Sequence, residues 1–354
     1  MRKYYLLFLC ASICQHSFAQ NVGIGTTTPT GKLHIKGNAD TSQLVIDAHT
    51  IQDNSRPLLK FRNANGVDIL GLHTDSEYNL FVGINAGRAN QANVSNNQGL
   101  YNTFIGSGSG YYNTSGNANS AFGRNSLYQN TIGNNNTSIG FKSLFSNTTG
   151  FFNTAVGSES LLSNIVGINN TAMGARALAT NTVGTENTAV GARSFELNST
   201  ASGNVAVGAS SLRSQSYNPG NYWFSNNTAV GASALEFNQP TSTSNGRDNT
   251  AVGAAALQAN TIGFDNTAVG AAALYSNISG WLNTAIGRQA LLYNEEGGSN
   301  TGTGYNALRE NTDGNDNTAN GFRSLEANTT GNSNTATGSY TLYRNTIGKK
   351  YSIR

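Results

Sequence analysis

Cysteine is nearly absent from this sequence, and the little there is cannot cross-link a fold. The 354 residues hold two, Cys10 and Cys14. Both fall in a leader-like segment, where Arg2 and Lys3 precede an almost continuous apolar run from Tyr4 to Ile13, followed by Ser17-Phe18-Ala19. That order predicts a signal peptide over residues 1–19, cleaved before Gln20 and too short for a permanent membrane span. A disulfide framework and a cysteine metal site are excluded from the mature chain. Charge is scarce as well, at 11% of residues, and loss of Arg2 and Lys3 leaves 19 basic against 18 acidic side chains. Such a chain has no basic stripe for nucleic acid and no polybasic patch for a membrane.

Catalytic groups are equally thin. The mature histidines are His34, His49 and His73, without the short spacing of a zinc site. The acids Glu159, Glu186, Glu196, Asp248, Asp265, Glu295, Glu296, Asp313 and Asp316 are scattered and read as solvated charges. No carboxylate pair faces a common groove in this pattern. The reading is therefore of a protein that is not an enzyme, with no catalytic, cofactor-binding or metal residue and no cofactor.

What the sequence has in abundance is repetition. Asn-Thr-Ala-Val-Gly, or a variant of it, starts at Asn102 and returns every seventeen residues to Asn204. It resumes at Asn227, then runs from Asn249 to Asn334 at the same spacing, with an approximate earlier copy at Asn79. One glycine column has no exception: Gly106, Gly123, Gly140, Gly157, Gly174, Gly191, Gly208, Gly231, Gly253, Gly270, Gly287, Gly304, Gly321 and Gly338. A glycine demanded once per unit marks a bend or a backbone approach too close for a Cβ. A second column, Gly116 to Gly184 and Gly263 to Gly348, marks another corner. Between corners lie a Thr-Ala-Val segment and one centred on Leu, which read as two short strands.

Seventeen residues suit one coil of a β-solenoid. About 14–15 such coils, following a small β-rich neck, make an all-β rod on the order of 65 Å long at about 4.8 Å per coil. Leu127, Leu144, Leu161, Leu178, Phe195 and Leu212 begin one expected apolar ladder; Ile105, Phe122, Ile139, Val156, Met173 and Val190 begin a second. The asparagine columns are expected to stack as amide ladders. Coils of this size are stable only as an array.

The unit resembles the head repeat of YadA-type trimeric autotransporter adhesins, whose N-S-V-A-I-G motif matches N-T-A-V-G in its Asn, Ala, aliphatic and Gly positions. The resemblance covers about Asn79 to Gly348 and implies a left-handed parallel β-roll assembled as a homotrimer at the outer cell surface. This unit is longer than the adhesin unit of about fourteen residues, and no amphipathic anchor strands follow the coils. Asn21 to Ile35 is similar to the mature start of many Bacteroidetes surface and tail-fibre-like proteins. The division expected is 1–19 signal peptide, 20–78 β-rich neck, 79–348 repeats and 349–354 a short tail. Within the neck, Leu44-Val45-Ile46 and Leu58 to Arg62 read as strands, with an Asn65-Gly66 hairpin turn before Val67.

The alanine column, Ala155 to Ala285, leaves two assignments open. Alanine faces out and valine fills the core, or the reverse; either leaves an apolar stripe that calls for association. In the last coils the valine position becomes Thr303, Asn320 and Thr337, so looser packing is expected there. Two neighbouring coils carry extra residues. The first insert holds Tyr217, Tyr222, Trp223 and Phe224, and the second holds Asn238 and Pro240. Tyr217, Tyr222, Trp223, Phe224 and Asn238 are the candidate ligand-contact residues, because loops on a rigid scaffold are where binding concentrates. The competing reading has the aromatics folded back as a plug. Function is read as an exported, cell-surface structural or adhesive segment meeting host, bacterial or glycan surfaces. A phage-tail-like receptor-binding fibre is the alternative, and an ice-binding solenoid ranks below it.

Overall fold

The computed structural model describes residues 57–348, the strands Val22–Ile24, Leu33–Ile35 and Ser352–Ile353, and Ile46. The expected leader, Leu44, Val45 and most of the tail lie outside the described residues. Two compact units divide the chain at residues 50 and 51. In the first, Val22–Ile24 pairs in parallel with Leu33–Ile35. No helix occurs among the described residues.

The second unit is a parallel β-solenoid of about fourteen turns. Fifteen three-residue strands, from Leu80–Val82 to Thr335–Thr337, stack in unbroken register. Thr154 lies beside Thr171, Ala155 beside Ala172 and Val156 beside Met173. Each coil has one such strand where two were expected. The leucine segment is a chain of turns, because Leu144, Leu161 and their equivalents sit at φ of 46–53°, which an extended chain cannot adopt. Its backbone still bonds from coil to coil, as in Leu144 N–H to Ser160 O at 3.0 Å and Ser146 N–H to Leu162 O at 3.0 Å.

Neighbouring side chains in a strand point to opposite faces, and here alanine points in. Ala155, Ala172, Ala189, Ala206, Ala229, Ala251, Ala268 and Ala285 are fully buried, together with Leu127, Leu144, Leu161 and Leu178. The second ladder expected in the core is outside it. Phe122, Ile139, Met173, Val252, Val269 and Ile286 are 37–45% exposed. The coil is too thin for both columns, and a Leu from the turn segment, or Phe195 in the coil of Ala189, already fills the space over the alanine. Thr303, Asn320 and Thr337 consequently face outward, while Ala319, Ala336 and Leu325 are fully buried. The interior of the coils at Thr303 and Asn320 is as dry as the rest, and in the last coil Leu342 and Asn345 are only partly buried.

The invariant glycines have φ between 120° and 139°. A Cβ on Gly270 would stand 2.6 Å from the carbonyl carbon and oxygen of Gly287. Both constraints named for a recurring glycine therefore act at once. At the second column only the close approach acts: Gly150 lacks a positive φ, but its Cβ would fall 2.5 Å from the Gly167 oxygen.

Two buried amide ladders run through the coils. Asn170 donates from Nδ2 to Asn153 Oδ1 at 3.1 Å and to Gly184 O at 2.9 Å. Asn164 donates to Asn147 Oδ1 at 2.8 Å and to Gly167 O at 3.0 Å. These amides are fully buried and paired, which the interior requires of them. Asp75 heads both ladders, accepting from Asn79 Nδ2 at 2.7 Å and Asn90 Nδ2 at 2.8 Å.

The hairpin expected near Asn65-Gly66 is present, with strands Leu59–Arg62 and Asp68–His73 and Gly66 at φ 77°. Its second strand pairs antiparallel with Leu80–Val82, His73 opposite Phe81. The hairpin so covers the first edge of the parallel sheet, where unpaired backbone groups would otherwise stand open.

Candidate functional site: the inserted corner and the exposed edges

The first insert replaces five corner residues by eleven, from Ser216 to Asn226. Within it Trp223–Phe224 forms a short strand beside Ala201–Ser202. This displaces the chain enough for side chains to occupy a corner that elsewhere admits only glycine. Trp223 is 6% exposed and packs into the core with Ala201, while Tyr217 lies edge-on to it at 5.8 Å and is partly buried. Those two are the plug. Tyr222 and Phe224, alternating with Trp223, point outward at 58% and 47% exposure, with ring centroids 6.1 Å apart.

Asn238 differs most from its expected role. It is fully buried in the amide ladder, donating to Gln215 Oε1 at 2.7 Å and Gly246 O at 2.8 Å. Gln215 stands in the asparagine column, and its longer side chain bridges the gap opened by the insert, accepting also from Asn227 Nδ2 at 3.0 Å. The second loop therefore begins after Asn238. Its tip is held by Asn245 Nδ2 donating to Thr241 Oγ1 at 3.0 Å.

Two further features escaped the sequence reading. Asn79 to Asn102 also spans twenty-three residues, so the first coil carries an insert too, closed by an Asn93–Gln98 bridge. Some acids read as isolated are joined across coils. Glu196, 4% exposed, accepts from Arg176 Nε at 2.7 Å and Arg213 Nε at 3.1 Å. Arg176 reaches Glu159 at 3.6 Å and Arg213 reaches Glu236 at 3.8 Å. The row is a ladder of alternating sign, visible only once coils are stacked.

A cavity of about 100 Å³ lies where the hairpin meets the first coil, lined by Pro57, Lys60, Asp68, His73, Gly83 and Asn85 among others. Among the described residues, no three His, Cys, Asp or Glu side chains converge as a metal site would need. No helix among them is long and apolar enough to cross a membrane.

A rigid stacked scaffold with surface loops is compatible with the structural, fibre-like class of repeat protein. No family model matches the chain, and neither the curated proteins nor the solved structures contain a match.

Proposed function

We propose that this chain is an exported homotrimeric fibre segment that acts in adhesion or as a spacer at a cell surface. One observation carries the reading. From Ile105 to Ile286 the outward column of the sheet is aliphatic or aromatic in every coil, with no charge in it. Ten coil steps make this stripe about 48 Å long at about 4.8 Å each. Monomers seldom leave so long an apolar strip in water, and closed symmetric assembly is the usual way to bury it. Threefold closure and the surface location come from the resemblance to YadA-type heads.

The stripe stops at Ile286, since Thr303, Asn320 and Thr337 follow it. Association then involves the coils up to Ile286 and leaves the last three in water. Light scattering of the mature chain at micromolar concentration tests this. A trimer that dissociates on Val230→Asp with Val252→Asp supports the reading, and a stable monomer overturns it.

A further inference from the structure

We propose that the glycine-corner edge of the rod binds a neutral polysaccharide chain, an assignment that rests on the adhesive reading and names its ligand class. The column just before each ladder asparagine has φ near 55°, as at Asn135, Asn169, Asp265 and Asp316. In that backbone state Asn, Asp and Gly are at ease and bulky apolar residues are not. Phe152 and Leu282 occupy it nevertheless, at φ 55° and 53°, and are 55% and 51% exposed. They oppose the local conformation and add nothing to the core. Where a local rule is broken without gain to the fold, function is the reason to look for.

Each of the two stands beside an exposed ring. Phe151 lies edge-on to Phe152 at 5.5 Å. Trp281 stacks on Phe264 at 6.4 Å and lies over Gly298, where a Cβ would come within 2.7 Å of the indole. That missing side chain leaves room for the indole against the next coil. The third aromatic site is Tyr222 with Phe224, oriented by the buried Trp223 between them. Coil-to-coil backbone bonds, such as Asn169 N–H to Phe151 O and Leu282 N–H to Phe264 O, keep the three sites on one edge. Four and then three coil steps separate them, about 19 and 14 Å at about 4.8 Å per step.

The chemistry between the sites selects the ligand. Glu186, Asp265, Glu295 and Glu296 lie on this edge, and its one base from 148 to 299, Arg247, is bound to Asp248 at 2.6 Å. An acidic edge repels anionic chains and offers acceptors to hydroxyl groups. The exposed rings supply apolar surface of the kind that packs on a sugar's CH face. Beyond Ile165 and Val166, which are also exposed, Thr185 and Glu186 interrupt the apolar area between the first two ring sites. A linear ligand that touches separated rings in turn fits this spacing.

The test uses the mature chain with insoluble cellulose and chitin, and gel retardation in hydroxyethyl cellulose. Three paired variants copy residues found in other coils or remove the outward rings: Phe151→Asn with Phe152→Asn, Trp281→Asn with Leu282→Asp, and Tyr222→Ser with Phe224→Ser. We expect retention of the wild type on at least one of the three matrices. Each pair should weaken it about tenfold or more, because linked contacts multiply, with the melting temperature held. Absence of retention on all three, equal retention of every variant, or preference for alginate would overturn the inference. Light scattering on the same samples separates the two proposals: a trimer that ignores these glycans sinks only the ligand, and a monomer sinks the fibre.

Discussion

The first two coils and those that follow fill the same cross-section with opposite choices. In the first two, Phe81 and Phe104 stand at the inward strand position and face Gly87 and Gly110. From the third coil on, a small residue, Ala or Ser and once Gly, stands there and Leu or Phe replaces the facing glycine, as in Ala155 with Leu161. Gly110 and Leu127 share nearly the same backbone, at φ 57° and 52°. What the coil conserves is volume and register, and the residue supplying the volume is free to change sides. The exchange has a use at the end of the rod: Phe81 stacks on Phe104 at 5.3 Å and His73 tilts against Phe81 at 5.3 Å. Flat rings close the core beneath the hairpin.

The largest expected effect falls on what the two regions share. Gly106 and Gly270 have φ of 131° and 136°, and a Cβ on either meets the next coil's backbone at 2.5–2.6 Å. Gly106→Val and Gly270→Val should both lose the folded state, since strain of about 1–3 kcal/mol at the site adds to displacement of the coil above. Arg193→Ala, at an exposed corner, should melt like the wild type. Equal melting temperatures for Gly270→Val and wild type would refute the glycine-corner account.

Next comes the volume exchange itself. Phe104→Ala empties the core and should cost about 3–5 kcal/mol. Gly110→Leu drives a side chain into the Phe104 ring, whose carbons already stand 2.5 Å from a Cβ at Gly110. The double variant recreates the pairing of Ala121 with Leu127 and should recover most of the loss, a coupling of about 2 kcal/mol or more in denaturant titrations. Additive costs would break the comparison.

Legibility followed the same line. The period, the glycine corners, the leucine ladder and the asparagine stacks were readable because every coil repeats the same demand. Alternation said that Ala155 and Val156 point to opposite faces, but period two cannot say which face is inner; the Leu161 side chain arriving from another segment decides that. Arg176 and Glu196 lie twenty residues apart, a pairing that only stacked coils reveal. The insert was visible as extra residues, yet its division into a buried Trp223 and exposed neighbours depends on where the displaced strand lands beside Ala201.

That division gives the third expectation. Trp223→Ser removes a core side chain and should cost about 3 kcal/mol. Tyr222→Ser with Phe224→Ser should stay within about 0.5 kcal/mol of wild type, as surface changes do. Thermal melts of the two variants check it, and equal destabilisation would mean that all three rings belong to the plug.

The smallest effect should be confined to the aromatic end. His73 is 5% exposed, and burial lowers its pKa from the usual imidazole value, against smaller upward pulls from the Ala86 backbone and the Asp75 charge. A lowered folded-state pKa means that the unfolded chain takes up the proton more readily. Stability from the neutral ring is therefore complete above the unfolded value of about 6.5 and declines as pH falls through and below it. One proton limits the slope to about 1.4 kcal/mol per pH unit. No histidine occurs between residues 79 and 348, so the effect belongs to the hairpin and the coils beneath it. Between pH 7.5 and 5, amide protection factors, which are referred to the intrinsic exchange rate at each pH, should fall around Phe81 to Gly110 and stay level around Thr250 to Thr301. In His73→Gln the loss of protection should vanish. An equal loss of protection along the whole rod would show that the Phe-filled coils and the Leu-filled coils open as one unit, and that the aromatic end has no stability of its own.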